Sequence, residues 1–576
     1  MTEFNKGFKL FFILLFIFIV FFSLSTNIPT RQRGGFFSDE SSYFSITQSI
    51  AYDLDIKYSK EDISRIKKNF ATGPEAVYLK RSKNGVLTFA KFFAYPLFAA
   101  PFFRIFGVNG FLLFNGLMIF FALLEGFYFL KKFHDEKKSF LFTLVFVLAT
   151  AIPVYIWWMT ADLFNFFMVF TGLFFFFYPF QNKKWTFLSP VFFSIAVFSK
   201  PTVILPAALI FLILFWRKEW KKFVVFSIIS ILICSGFLAF YYSQSGELNP
   251  MSGDRRSFHA KFPYEKSDYT FENGFKMSLD NYKKRFFLTT EVAVLNLFYY
   301  FFGRFTGMFI YFFPAVFILF FYFFRKKEPE DHFILAAIVF GILVYILFLD
   351  PVNYFGGSGS VGNRYFLTLY PFFFFLGFKN RNFRFLHIPV IISLIFLSGV
   401  YMDMNYHSAF SRYAGISFPI NLFPPEKTQY DKLPTNENPR AFGKIIRDGE
   451  KHYWVYFLND NYHPVNKDSF WTYGNKKLEL FMATEKPIKK FAFLIMNSPT
   501  KNSVKIKIAD ISRKIFLKPN QTSLKYFKNI RGLRMNNRYI YLIKIKSEKS
   551  FSPYFDGTDE NDKRILGVKL HIGIEY

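Results

Sequence analysis

Cysteine is nearly missing from this 576-residue chain: Cys234 stands alone, inside an apolar run. No disulfide can form within the chain, and a lone thiol in apolar surroundings is not an activated nucleophile. Histidine is sparse, at 8 residues. His259, His332 and His407 are isolated, and no pair has metal-ligand spacing. There is no Walker phosphate loop and no G-x-S-x-G elbow. "GGSGSVG" at 356–362 is glycine-rich, but no strand–helix unit surrounds it, which argues against a nucleotide site. Tandem repeats and low-complexity linkers are absent too. Acids are outnumbered, 41 against 71 Lys and Arg, for a net charge of +30. In a soluble protein this excess would suggest nucleic acid. Here the cations gather in short segments between apolar runs, as in cytoplasmic loops of membrane proteins, so nucleic acid is not an expected partner.

What is abundant is apolar residues, 52% of the chain, with 92 Phe. Part of that Phe excess reflects composition bias, since Lys and Asn are also common. Repeated apolar runs of near-spanning length predict a polytopic α-helical membrane protein. The first run, near 8–25, follows Lys6 and Lys9 and lacks a clear cleavage site, so it reads as a retained signal anchor. Further spans are expected near 108–130, 140–158, 162–180, 186–199, 201–216, 223–242, 307–324, 333–349, 365–378 and 385–401, about eleven in all. Alternate connections are short and basic: "KKFHDEKK", "QNKKW", "WRKEWKK", "FRKKEPEDH" and "FKNRNFR". The positive-inside rule places these in the cytoplasm. It also keeps "VLTFAKFFAYPLFAAPFFRIFG" (86–107) from spanning, because a span there would move every later basic loop outside. That stretch reads as interfacial or re-entrant, broken by Pro96 and Pro101. Residues 27–107 then form one long external loop.

The chain changes character after 402. From 420 to 576 short alternating segments replace the apolar runs. "SVKIKIA" puts Val504, Ile506 and Ile508 on one face, and "GVKLHIGI" does so with Val568, Leu570, Ile572 and Ile574. With "KHYWVYF", "KKFAFLIM" and "RYIYLIKIK" they predict a C-terminal β-sandwich. Eleven spans would put this domain outside the cytoplasm. The expected organisation is a transmembrane domain over 1–402 and an extracytoplasmic domain over 420–576. Trp454 and Trp471 are candidates to stack on ligands, although most aromatics of such a domain belong to its core.

"SDESSYFSITQSIAYDLD" (38–55) opens the external loop. Tyr43, Ile46, Ile50 and Leu54 fall on one face at helical spacing, with Ser and Gln opposite, which predicts an amphipathic helix on the membrane surface. Asp39 and Glu40 sit at its start. They either cap the helix and complement its dipole, or one of them is a general base at the membrane–water boundary. Adjacent helical residues point about 100° apart, so one of the two would face a site.

This stretch resembles the first external loop of bacterial GT-C glycosyltransferases, particularly those similar to family 39 and the protein O-mannosyltransferases. Asp39, Glu40, Tyr43, Asp53 and Asp55 match the pattern. "KFFAYPLFAAPFFRIFG", "FSIAVFSKPTVILP" and "GGSGSVGNRYFLTLYPFF" resemble, in order, the family's proline-containing segment, its Lys-Pro-Thr turn and its late glycine-rich loop. Together they cover roughly residues 8–402.

The resemblance implies transfer of a sugar from a polyprenyl-phosphate carrier to a glycan, lipid or protein acceptor outside the cytoplasm, in a bacterial inner membrane. Asp39 is then the expected base, with Glu40 as its rival. A direct displacement would invert the anomeric centre. The lipid phosphate leaves readily but needs cations to hold its charge. Arg364, Lys200 and Arg304 are the candidates; Arg364 otherwise reads as an interface arginine and Lys200 as an anchor, and Arg304 lies near the start of a span. Tyr43, Tyr365 and Asp162 are expected to contact substrate, Asp162 having helix capping as its alternative. No cofactor is expected. A divalent metal at Asp53-x-Asp55 is possible but not favoured over a solvated helix end. A polytopic transporter or lipid flippase is the alternative function, and a non-catalytic scaffold a third.

Overall fold

Three serine hydroxyls and a threonine decide how the helix Asp39–Asp53 sits. Ser45 Oγ donates to the Ser41 carbonyl (2.8 Å) and Thr47 Oγ1 to that of Tyr43 (2.8 Å). Ser42 Oγ donates to the Ser38 carbonyl, and Ser49 Oγ to Asp55 Oδ1. Small hydroxyls that bond locally can be buried at little cost. All residues from Ser41 to Ile50 are buried. The expected amphipathic surface helix is therefore corrected: its polar face is packed as well as its apolar one. Leu54, assigned to the apolar stripe, lies beyond the last turn in a left-handed conformation and is exposed. Phe44 packs edge-on to Phe103, and Tyr43 to Tyr95, on the neighbouring helix Ala94–Phe106.

The computed structural model describes residues 6–26, 38–69, 74–265, 268–277, 289–357, 359–377, 385–409, 411–434, 444–448, 451–464, 469–535 and 537–576. The basic connection "FKNRNFR" (378–384) lies outside them. Two units emerge: Met1–Lys284 with Thr306–Phe348 and Ser360–Ala409, and Arg285–Phe305 with Leu349–Gly359 and Phe410–Tyr576.

The first unit is mainly helical. Among the described residues of the chain, four helices are long and apolar enough to cross a membrane: Lys6–Ser25, Asn109–Leu130, Trp220–Ser245 and Pro329–Leu349. Shorter apolar helices include Ala94–Phe106, Ala161–Phe177, Pro201–Trp216, Phe313–Phe323 and His387–Met402. The expected segment 140–158 is divided. Its helix runs Glu136–Leu148, and a 3-10 turn follows at Ile152–Trp157. Thr150 Oγ1 takes the Ile152 N–H, and Pro153 has none to give, so the helix cannot continue. Tyr401 Oη satisfies the carbonyls of Leu148 and Thr150 at the break. The segment 307–324 likewise divides into Met308–Tyr311 and Phe313–Phe323.

The stretch 86–107 also departs from expectation. A short strand, Leu87–Phe89, precedes one continuous helix, Ala94–Phe106. Pro96 lies in the first turn, where its missing N–H is not needed, and the helix absorbs Pro101 in its interior. The strand Glu75–Arg81 pairs antiparallel with Leu87–Phe89 on one side and with Arg255–His259 on the other; Phe275–Lys276 completes the sheet. This sheet joins two loops far apart in sequence, a pairing that periodicity within either loop does not reveal.

The second unit is rich in strands. One antiparallel sheet has the order Thr522–Lys528, Lys490–Met496, Leu566–Glu575, Ser469–Tyr473, Tyr462–Pro464. The other is built on Asn502–Ile508, Arg538–Ser547, Lys477–Thr484 and Lys451–Phe457. Both feed one hydrophobic core, in which Val504, Ile506, Ile508, Val568, Leu570, Ile572 and Ile574 are buried as their alternation predicts. The unit also contains Thr290–Phe302, an apolar helix that the sequence reading passed over.

Candidate active site

Asp39 lies in the first turn of its helix, and the chain before it is clipped to the sheet. Ser38 donates its N–H to the Glu75 carbonyl (2.9 Å) and pairs its hydroxyl with Tyr78 Oη (2.6 Å). Thus fixed, Asp39 meets two cations. Oδ1 is 2.6 Å from Lys91 Nζ and Oδ2 is 2.9 Å from Arg364 Nη1. The same Nη1 is 3.5 Å from Asp162 Oδ2, and Asp162 Oδ1 is 3.7 Å from Lys200 Nζ. Lys91, Asp39, Arg364, Asp162 and Lys200 thus form a run of alternating charge, three cations to two carboxylates.

Each member is positioned by an identifiable local cause. Arg364 opens a 3-10 turn capped by Asn363, whose Oδ1 accepts the N–H groups of Tyr365 and Phe366. Tyr155 Oη donates to the Val361 carbonyl (3.0 Å), anchoring the glycine-rich loop. Gly362 is required there. Its φ is +75°, and a Cβ would lie 3.0 Å from Tyr311 Cβ. The guanidinium lies 5.4 Å from the Trp158 ring and 5.5 Å from that of Tyr365. Asp162 is in the first turn of Ala161–Phe177 and accepts from Thr160 Oγ1 (3.0 Å). Lys200 follows the helix Ser189–Ser199, in the Lys-Pro-Thr turn, with its ammonium 4.1 Å from the Tyr365 ring.

The electrostatics differ along the run. Burial pushes the Asp39 carboxyl upward, but Lys91 and Arg364 overcome this and hold it well below the usual carboxylate range. Burial pushes Lys200 down to about 8, partly opposed by Asp162. Its Nζ is shielded from solvent yet makes no hydrogen bond among the described residues, since 3.7 Å to Asp162 is too long for one.

The sequence-predicted residues separate into three groups. Asp39, Arg364, Lys200, Asp162 and Tyr365 come together, and Tyr43 joins them through Lys91, which lies 5.9 Å from its ring. Glu40 Oε1 accepts the Met159 N–H (3.2 Å). Arg304 is in the second unit. Its guanidinium donates to Glu479 (2.6 Å) and to the carbonyls of Phe423 and Asn421, so the structure does not bring it into the cluster. Asp53 pairs with Arg65, and Asp55 accepts from Ser49 and from the Lys57 N–H. Among the described residues, no three His, Cys, Asp or Glu side chains are grouped to hold a metal ion. In the strand-rich unit, Arg538 covers the Trp454 ring at 4.0 Å and Phe551 packs on Trp471.

Lys91 and Trp158 are the residues that sequence reasoning missed. The signal for Lys91 was present: it is the one charge between Val86 and Phe103. A lone charge in an apolar stretch is a functional candidate.

No family model matches the chain, and no curated protein matches it. Several solved structures are similar, among them the following three. One is ArnT from Cupriavidus metallidurans in the apo state, with TM-score 0.40 and 12% identity, covering 65% of this chain and 59% of that one. A second is ArnT from the same organism bound to undecaprenyl phosphate, with TM-score 0.40, 11% identity and coverages of 71% and 76%. The third is the arabinosyltransferase EmbB from Mycobacterium smegmatis, with TM-score 0.31, 8% identity and coverages of 100% and 66%. The chain thus spans 59% of the length of the apo ArnT chain. At TM-scores of 0.40 and below, any reading of the site rests on its own residues.

Proposed function

We propose that the chain is a multi-pass membrane glycosyltransferase that moves a sugar from a polyprenyl-phosphate carrier to an envelope glycan, lipid or protein. Its site and strand-rich domain face outward from a bacterial inner membrane. The observation that carries this reading is Lys200: a shielded ammonium with hydrogen-bonding capacity to spare, beside Arg364 in a cluster with an excess of cations. A buried donor of this kind calls for an acceptor, and a phosphate monoester supplies charge and several acceptor oxygens at once.

In the proposed reaction an acceptor hydroxyl attacks the anomeric carbon. The bond from that carbon to the phosphate oxygen breaks, and its electron pair leaves with the lipid phosphate. Arg364, Lys200 and Lys91 hold the developing negative charge. The hydroxyl proton passes to Asp39, which its cations keep ionised and able to receive it. Asp162 keeps Lys200 and Arg364 together, and Tyr43 and Tyr365 present rings beside the charged groups. Attack opposite the leaving group inverts the anomeric centre. The three cations carry the charge stabilisation, and no metal is assigned a role.

The test is lipid binding by the purified chain in nanodiscs. Polyprenyl phosphate should bind, uncharged polyprenol should bind at least about tenfold more weakly, and Lys200→Met or Arg364→Ala should each remove most of the difference. Equal binding of the two lipids, unchanged in the variants, contradicts the reading.

A further inference from the structure

A cleft that none of the five charged-cluster residues lines lies in the part of the first unit built around the four-stranded sheet. Its volume is about 480 Å³, and Tyr264, Tyr269, Phe271, Lys60, Arg81 and Gly85 are among its lining residues. Tyr264 is its unusual member. The backbone has φ +69°, a conformation that a bulky aromatic residue adopts only at a cost, and the residue is 51% exposed. The ring stacks on Tyr58, with centroids 5.9 Å apart and planes at 21°. Tyr58 is itself buried and donates its hydroxyl to the Pro263 carbonyl (2.8 Å), next to Tyr264. A left-handed backbone and the stack on Tyr58 thus place an aromatic ring at an open cleft.

The charges around that ring are unequal. The acid in the lining, Glu265, is committed: it pairs with Lys67 and accepts the Phe262 N–H (2.8 Å). Arg81 pairs with Glu272 and covers Phe271 at 5.0 Å. Lys60, at the start of the helix Lys60–Asn69, is exposed and makes no ion pair among the described residues. Gly85 has no heavy atom within 4 Å of where a Cβ would stand, so the cleft is open on that side. An exposed ring face suits the apolar face of a pyranose, and an ammonium with no ion pair among the described residues suits an acidic substituent.

We infer that this cleft binds a saccharide carrying an acidic group, as a recognition site for the acceptor. The acceptor role rests on the transferase reading; the binding itself does not.

The test uses the full chain in nanodiscs and three probes: methyl glucuronide, methyl glucoside and inorganic phosphate. Methyl glucuronide should bind at least about tenfold more tightly than either of the others. Lys60→Ala should erase the preference for the acidic sugar. Tyr264→Gly should weaken both sugars about tenfold; glycine accepts a positive φ, so the loss would report the ring and not a folding defect. Asp39→Asn should leave binding unchanged, and polyprenyl phosphate should not compete. The inference is overturned by equal affinity for the two sugars, by phosphate binding as well as the acidic sugar, by competition from polyprenyl phosphate, or by wild-type affinity in Tyr264→Gly. Failure here with transfer activity intact removes the cleft alone. Saccharide binding without any transfer by the wild-type chain removes the transferase reading alone.

Discussion

Arg364 Nη1 stands 2.9 Å from Asp39 Oδ2, joining residues 325 positions apart in the sequence. The same nitrogen is 3.5 Å from Asp162, so one guanidinium links both carboxylates. A lysine ammonium at this position keeps the charge but loses the planar fork. Arg364→Lys is therefore expected to lower transfer about a hundredfold, the range for removing one preorganised donor, while the melting temperature changes little. Transfer rates in membranes of matched protein content check this.

Asp39 poses a problem of base strength. Its two cations keep it ionised, but a carboxylate held so far down is a weak base. A donor phosphate that attracts Lys91 and Arg364 would relieve part of this. Removing Lys91 should therefore raise the Asp39 pKa. In Lys91→Met the acid limb of the pH–rate profile, where ionised Asp39 is required, should move to higher pH. An unmoved limb in a variant that retains activity would show that Asp39 is not the titrating base.

Lys200 gives a second pH signature. Burial lowers it from 10.5 to about 8. Below that pH the ammonium is charged and can hold phosphate; above it the charge is lost. Affinity for polyprenyl phosphate should fall as pH rises from about 7 to 9. Lys200→Arg should flatten the dependence over that interval, because a guanidinium does not titrate there.

These residues were unevenly legible in the sequence. Asp39, Lys200 and Arg364 stood out through motif resemblance, and the strands through a period of two that burial enforces, as at Val504, Ile506 and Ile508. The seating of the helix Asp39–Asp53 was not legible. Serines that bond back onto their own helix look like a solvated face until their carbonyl partners are known. Arg304 misled for a related reason. A cation near an apolar segment reads as a ligand holder, and its actual partner, Glu479, lies 175 residues away, where no spacing rule reaches.

That pair predicts a stability effect instead. Arg304 and Glu479 are both buried, and Glu479 has Lys544 and Lys477 beside it as well. Burial raises the Glu479 carboxyl, but Arg304 and the lysines outweigh it and bring it down to about 2. Its contribution is complete above the ordinary value of 4.5 and is lost as pH falls toward 2. Glu479→Gln leaves a buried guanidinium without its counter-charge and should destabilise the strand-rich unit by about 3–5 kcal/mol. Replacing both residues by apolar ones of similar size should recover most of that loss. Denaturant melts of the purified variants decide it.

The central claim is that the chain transfers a sugar and that Asp39 takes part in the chemistry. Mass spectrometry of envelope glycans and polyprenyl-linked sugars tests it most directly, in wild type, a deletion strain and Asp39→Asn at matched membrane abundance. The expected result is one sugar missing from its acceptor in both mutants while its lipid-linked donor persists or accumulates. An Asp39→Asn strain indistinguishable from wild type, beside a deletion that differs, would contradict the claim and favour transport or scaffolding.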